Sequence, residues 1–189
     1  MQPTELHVAT IMLGRSEAEA ALLQTSLKSL SQLGLPIVVA DGGSPEPLVD
    51  FVARLPGVSV INPPKHGLVP QVKASLRSAY ASGEEFILYT EPDKQHFFES
   101  GLGDFIRHAP DAENIGIVVA ARTHESLSTF PSIQQLTERT INELTSRAIG
   151  RNGDYSYGPF LIRRDLAAII EQVPDTLSWA CVASTSIEP

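Results

Sequence analysis

The chain has 189 residues, 42% of them hydrophobic and 19% charged, which supports one compact domain with a sizeable core and excludes global disorder. Its formal net charge of -8 excludes a chain-wide surface for nucleic acid or anionic membrane. Fourteen Lys and Arg still leave room for a local phosphate pocket, and the single cysteine, Cys181, excludes a disulfide framework or a cysteine-rich zinc site.

The N-terminal stretch "MQPTELHVATIML" lacks a basic region ahead of its apolar run. That run is too short to span a bilayer, so no membrane span and a cytoplasmic location are expected. Leu6 to Leu13 reads as the first strand. A helix follows, with Ser16 and Glu19 spaced as a capping box and an apolar stripe at Leu23, Leu27 and Leu30, ending at Gly34. "PIVVA" is the second strand. Ser44 is then an N-cap with Pro45 at the first helical position, and Leu48, Phe51, Val52 and Leu55 form a buried face. "GVSVI" is a short third strand and "NPPKHG" a rigid loop. Val69, Val72, Leu76 and Tyr80 mark a helix that stops at Gly83. "FILY" is a fourth, buried strand and "IGIVVAA" a fifth. Ser132 and Gln135 cap a long helix running through Ile133, Leu136, Leu144 and Ala148. "GPFLI" is a strand or turn before a last helix from Asp165 to about Val173. Strand runs alternating with helical patterns predict an α/β fold, a mostly parallel sheet flanked by helices, as a single domain over 1–189.

In such sheets ligands gather at the carboxyl ends of the strands. Three polar clusters fall there: "ADGGS", "TEPDKQH" and "ARTHES". Asp41 can accept a hydrogen bond from a base N–H or a ribose hydroxyl, while Gly43 and Ser44 serve a strand-to-helix turn. Glu91 and Asp93 sit two apart and can face a divalent cation bound to a diphosphate; a plain polar turn with Lys94 paired to an acid is the alternative. Arg122 can hold a phosphate bidentately, or pair with Glu125 or Asp93. Asp154 and Tyr157 can meet an acceptor. Arg163 and Arg164 can bind phosphate or simply open the last helix. Lys65, His66 and Gly67 can touch a diphosphate or form a solvated loop. His96 is expected at a helix start, and Phe97 and Phe98 in the core.

Taken in order, these clusters resemble a GT-A-fold glycosyltransferase of the family-2, polyprenyl-phosphate-sugar synthase group. "VVADGGSPEP" is similar to that group's nucleotide element, "TEPDKQHFFE" to its D-A-D-x-Q-H-x-P-E element, "VVAARTHES" to its G-S-R-Y strand end, and "RNGDYSYGPFLIRR" to its acceptor-side element. The likeness runs from about Leu6 to Val173. It implies a nucleotide-sugar donor, a Mg²⁺ or Mn²⁺ cofactor, and a hexosyl transfer to a small soluble acceptor. Asp41, Gly43, Ser44, Lys65, Gly67 and Glu91 would then bind the nucleotide diphosphate. Glu91 and Asp93 would hold the metal, and Asp93, Asp154 and Arg122 would act at the transferred sugar, Asp154 as a base if one is needed.

Three departures stand out. Gly42 replaces the second acid of the nucleotide element, Glu91 replaces an aspartate, and Phe160 stands where the synthases carry an arginine for the lipid phosphate, which speaks against a polyprenyl-phosphate acceptor. The chain also ends at "LSWACVASTSIEP", short of the family's usual length, which leaves room for a missing acceptor-covering segment. A sugar-phosphate nucleotidyltransferase is the first rival, but the exit "LGRSEAEAALL" from the first strand lacks that chemistry's Gly-rich basic loop. A non-catalytic nucleotide-sugar-binding module is the second. Whether the chain forms a homo-oligomer is left open.

Overall fold

Alternation along each strand sends side chains to opposite faces, and the sequence supplies apolar residues to both. The computed structural model describes residues 6–109 and 116–177. Six strands form one sheet in the order β3-β2-β1-β4-β6-β5. These are β1 (Leu6–Met12), β2 (Ile37–Asp41), β3 (Val58–Ile61), β4 (Phe86–Tyr89), β5 (Ile117–Val119) and β6 (Phe160–Arg163). β1 pairs in parallel with β2 and β4, and β2 with β3. β6 is antiparallel to both β4 and β5, which makes β6 a strand and the sheet mixed but mostly parallel. Because β6 runs backwards, its first residues lie at the same edge as the carboxyl ends of β1, β2 and β4.

The helices are α1 (Glu17–Ser31), α2 (Glu46–Ala53), α3 (Leu68–Ser82), α4 (Leu102–His108), α5 (His124–Ser128) and α6 (Ser132–Ile149). One core packs Leu6, Val8, Ile37, Val39, Phe86 and Leu88 beneath α1, α2 and α4. On the other face Ala9, Val38, Ala40, Ile87 and Tyr89 meet α3 and a 3₁₀ helix, Arg164–Gln172. That 3₁₀ segment replaces the expected last α-helix.

Local chemistry explains most boundaries. Ser16 caps α1 by accepting from the Glu19 N–H, while Glu19 reaches back to the Arg15 N–H. Ser44 is not a helix cap: α2 begins after Pro45, and the Ser44 hydroxyl instead accepts from Gly14 N–H, tying the β1 and β2 exits together. Ser132 likewise lies inside α6 rather than capping it; Gln135 donates back to the carbonyls of Ser128 and Phe130. A short helix, α5, capped by Thr123, occupies the "THES" segment where no helix was expected. Tyr80 is exposed at 45%, and so are Ile133, Leu136 and Leu144 of α6. Residue 115 of the expected fifth strand lies outside the described residues, as does the segment 178–189 containing Cys181.

Gln71 is the polar staple of the sheet edge. It is 3% exposed, and its Nε2 donates to the carbonyls of Met12 (2.8 Å) and Ala40 (3.1 Å), joining the ends of β1 and β2. Replacing it by Leu removes both bonds from a buried site. Gln71→Leu is expected to cost about 1–3 kcal/mol of stability, read from the midpoint of urea unfolding at unchanged slope.

Candidate active site

A cleft of about 430 Å³ opens at the carboxyl edge, where the chain turns from β1 outward in two directions, the switch point at which open sheets bind ligands. The β1 exit contributes Met12 and Leu13, the β2 exit Gly42, the N-terminus of α3 Gly67, Leu68 and Gln71, and the β4 exit Glu91, Pro92 and Asp93. Arg15 and Glu19 at the start of α1 form the outer wall.

Glu91 is the anomaly of this cleft. It is 6% exposed, and its Oε2 has no hydrogen-bond partner among the described residues. Burial pushes its carboxyl up to about 7; Lys94 opposes the rise and Asp93 adds to it. Asp93 is half exposed, with Lys94 3.4 Å away. Two carboxyl groups, one of them buried with a free Oε2, match the few protein oxygens that Mg²⁺ or Mn²⁺ takes when a diphosphate and waters complete its shell. Among the described residues no group of three or more His, Cys, Asp or Glu gathers to hold a metal without such help.

Gly158, at the start of β6, explains how Glu91 is accommodated. A Cβ on Gly158 would sit 2.1 Å from Glu91 Oε2, and the residue has φ +107. Only glycine both adopts that backbone and leaves the carboxylate its space. Gly42 is constrained by space alone: a Cβ there would lie 2.7 Å from the Gln71 amide nitrogen, so any side chain at 42 has to displace that amide from its two carbonyls.

The structure gives several expected site residues other partners. Asp41 is buried, and its carboxylate accepts from the Gly43 and Ser44 N–H groups at 3.1 Å, closing the turn after β2 next to the cleft. Gly67 lines the cleft as the N-cap of the 15-residue α3, with no side-chain cap over that helix terminus. Lys65 does not reach the cleft; its ammonium pairs with Asp175 at 3.3 Å. Exposed His66 and His96 are absent from the cleft lining. Arg163 pairs with Asp165, and Arg164 lies 5.5 Å over the Tyr80 ring. Phe160 is stacked on Tyr89 in the core, so no side chain at 160 reaches an acceptor.

Arg122 and Asp154 meet each other rather than a ligand. The Arg122 guanidinium is 4% exposed and donates to Asp154 Oδ2 (2.8 Å) and Oδ1 (2.9 Å), with Glu138 at 2.5 Å. Glu125 and Asp93, the expected partners, are not the ones it takes. Asp154 accepts further bonds from the Arg122 N–H, Asn142 and Ser156. Although burial acts to raise it, these donors hold the Asp154 carboxyl below its ordinary range. A carboxylate so saturated is a poor proton acceptor, which speaks against the base role expected of Asp154. Arg122 is likewise unable to clamp a phosphate while both carboxylates hold it. The network carries Tyr157, whose ring lies 4.9 Å from the Arg122 guanidinium carbon and 5.5 Å from Lys94 Nζ. Burial pushes the Tyr157 hydroxyl up to about 12, so it stays protonated.

Gln71, Gly158 and Arg15 were missed from sequence. A glutamine one turn into a helix carries no signal of what it bonds to, and Gly158 shows its purpose only once β6 is known to run antiparallel beside β4.

Two measurements follow. In the metal-free protein the Glu91 carboxyl titrates near 7 when folded and near 4.5 when unfolded. The native state then holds the extra proton between these values, so stability falls as pH rises through that window, by about 3 kcal/mol at most, and is flat above it. Glu91→Gln should remove this slope in denaturation curves taken from pH 4.5 to 8. Arg122→Met leaves Asp154 and Glu138 buried without their cation and should cost about 3–5 kcal/mol by the same measurement.

No protein-family model matches the chain, and no curated protein matches it in sequence. Solved structures do. Glucosyl-3-phosphoglycerate synthase from Mycobacterium tuberculosis, in complex with Mg²⁺ and UDP, superposes with a TM-score of 0.67 at 15% identity, covering 97% of this chain and 63% of that one. The same enzyme with Mn²⁺, UDP-glucose and phosphoglyceric acid gives 0.63 at 15% identity, covering 97% and 64%. The mannosyltransferase PcManGT from Pyrobaculum calidifontis, in complex with GDP-Man and Mn²⁺, gives 0.64 at 17% identity, covering 97% and 52%. The chain thus spans less than two thirds of the length of these neighbours. Its six-stranded, mostly parallel sheet flanked by helices is the GT-A fold of nucleotide-sugar glycosyltransferases.

Proposed function

We propose that this chain is a metal-assisted glycosyltransferase that moves a hexosyl group from a nucleotide-diphosphate donor to a small acceptor. The observation that carries the reading is the buried Glu91 carboxyl, its Oε2 unpartnered, sharing one cleft with Asp93, Gly42 and the open N-terminus of α3. The neighbours' complexes with UDP or GDP-mannose and a divalent cation support it.

Glu91 and Asp93 are the residues that would hold Mg²⁺ or Mn²⁺. When bound, the cation neutralises charge on the diphosphate as the nucleotide departs. The chain's own groups do the rest. The α3 terminus, capped by Gly67 and lacking a side-chain cap, turns backbone N–H groups and the positive end of its dipole toward the diphosphate. Gln71 keeps the β1 and β2 exits in register beneath the nucleoside. Gly158 lets Glu91 stay in the wall, and the Arg122–Asp154–Glu138 network fixes Tyr157 at the sugar side. Since Asp154 is saturated, the acceptor is one that needs no strong base, a group already anionic such as a phosphate or carboxylate. Phosphoglyceric acid in the neighbour's complex has that chemistry.

The saturation of Arg122 and Asp154 also favours a second reading, a module that binds a nucleotide sugar without transferring it. Turnover separates the two: release of nucleoside diphosphate from a donor in the presence of an anionic acceptor supports the transferase, whereas tight binding without release supports the module.

Asp93→Asn, an exposed and fold-neutral change, should weaken Mn²⁺-dependent binding of a nucleoside diphosphate by at least about tenfold in calorimetry, leaving metal-free binding unchanged. Gly158→Ala should displace the Glu91 carboxylate and lose the same metal-dependent increment. Unchanged Mn²⁺ dependence in both variants overturns the metal assignment.

A further inference from the structure

The acids at the β4 exit already have a cation of the chain's own. Lys94 follows Asp93 in the turn, and its Nζ lies 3.4 Å from Asp93 Oδ1. Lysine normally keeps its ammonium in water, yet this side chain is 23% exposed, less than the acid it pairs with. It reaches toward Tyr157, with Nζ 5.5 Å from the ring centre, a cation–π approach that helps to hold the charge there. Its field also reaches buried Glu91, where it is the strongest charge favouring the carboxylate against the burial that opposes it. One ammonium therefore acts on both acidic groups of the cleft, from the side of Tyr157.

The hold is loose. A bonded ammonium–carboxylate contact closes to about 2.7–2.9 Å, and the Lys94–Asp93 separation is wider. Glu91 Oε2 accepts no hydrogen bond among the described residues, so Lys94 offsets its charge without saturating it. Arg122 is the contrast: it donates to Asp154 at 2.8 and 2.9 Å and is locked in place. A cation held as Lys94 is held can be exchanged.

We propose that Lys94 is a resident counter-ion that competes with the divalent cation for Asp93 and Glu91, and thereby couples metal binding to diphosphate binding. The inference rests on the metal reading of these two acids. Two positive charges within a few ångströms repel, so the ammonium must leave Asp93 when the cation enters. Its four-carbon stem is flexible enough to swing aside. With no anion at hand, the displaced ammonium loses its partner, and that loss weakens metal binding. A diphosphate brings fresh negative oxygens to the same edge, and the ammonium gains one of them. Metal and diphosphate then each favour the other beyond their direct bond, and the excess belongs to residue 94. The lysine–acid pair and the metal site, which are rival readings of "TEPDKQH", become two occupancies of the same acids.

Calorimetric titration of Mn²⁺ into the nucleotide-free protein tests the proposal. Lys94→Met keeps the apolar stem and should bind Mn²⁺ about tenfold more tightly than the wild type. Lys94→Arg keeps the charge and should stay near the wild type. With UDP or GDP bound, the advantage of Lys94→Met should vanish. The unaltered protein supplies a second readout, the rate at which an amine-reactive ester acylates Lys94, followed by peptide mass analysis. Adding Mn²⁺ should speed that reaction and leave the rate at exposed Lys28 unchanged. Four results would each overturn the role of Lys94 and leave the metal reading standing: equal Mn²⁺ affinity in the wild type and Lys94→Met, equal tightening in the Met and Arg variants, an advantage that persists with nucleotide bound, or acylation of Lys94 that ignores Mn²⁺. Absence of Mn²⁺ binding in all three proteins, with and without nucleotide, overturns both.

Discussion

Everything at the carboxyl edge is arranged around one costly group, the Glu91 carboxyl held in the wall between β4 and β6. A carboxylate taken out of water without a partner is strongly disfavoured, so the protein keeps it only where something else repays the desolvation. β4 brings Glu91 into the wall, and its antiparallel neighbour β6 brings Gly158 beside it. β6 runs antiparallel to β4, so its entry, rather than its exit, meets the cleft. A glycine with φ +107 then leaves the volume that the carboxylate fills. Sheet direction, glycine conformation and acid burial form a single constraint. None of the three makes sense without the others.

A second arrangement, on the other side of Tyr157, spends charge differently. Arg122 is buried between two carboxylates, and Asp154 accepts from backbone and three side chains at once. Breaking such a network is expensive, while the intact network contributes more to geometry than to stability. It fastens the β5 exit, α6 and the 154–157 loop to one another, and the ring of Tyr157 lies against it. One side of this edge thus holds a buried carboxyl whose Oε2 is unpartnered, and the other a guanidinium held between two carboxylates.

The sequence made the edge legible because strands announce themselves by β-branched runs and the polar residues that follow them are conspicuous. "FILYTEPD" showed both at once, and Glu91 and Asp93 share the cleft as their spacing implied. Asp41 was placed at the right strand tip, yet the spacing could not tell that its oxygens turn back to Gly43 and Ser44. Long-range pairing was invisible for a physical reason: Arg122 and Asp154 are 32 residues apart, and nothing local favours Asp154 over Glu125 as a partner. The same holds for Lys65, whose partner Asp175 lies 110 residues away. Neither Ser44 nor Ser132 caps its helix, because a proline next to each one takes the N-cap position, and the Ser44 hydroxyl accepts from Gly14 N–H instead.

Gln71 and Gly42 show how a departure from a family pattern can be read as mechanics rather than loss. Where the nucleotide element that the sequence resembles would carry a second acid, this chain has a glycine, and an amide from α3 fills the space that a side chain would need. Both amide hydrogens are consumed by the carbonyls of Met12 and Ala40, so the orientation of the group is settled by the ends of two parallel strands. An acid at position 42 would have to expel that amide and would add negative charge to a cleft already lined by Glu19, Glu91 and Asp93. The substitution therefore trades a charged contact for a rigid floor. Two of the three carboxyl groups that line the cleft stay together at the β4 exit.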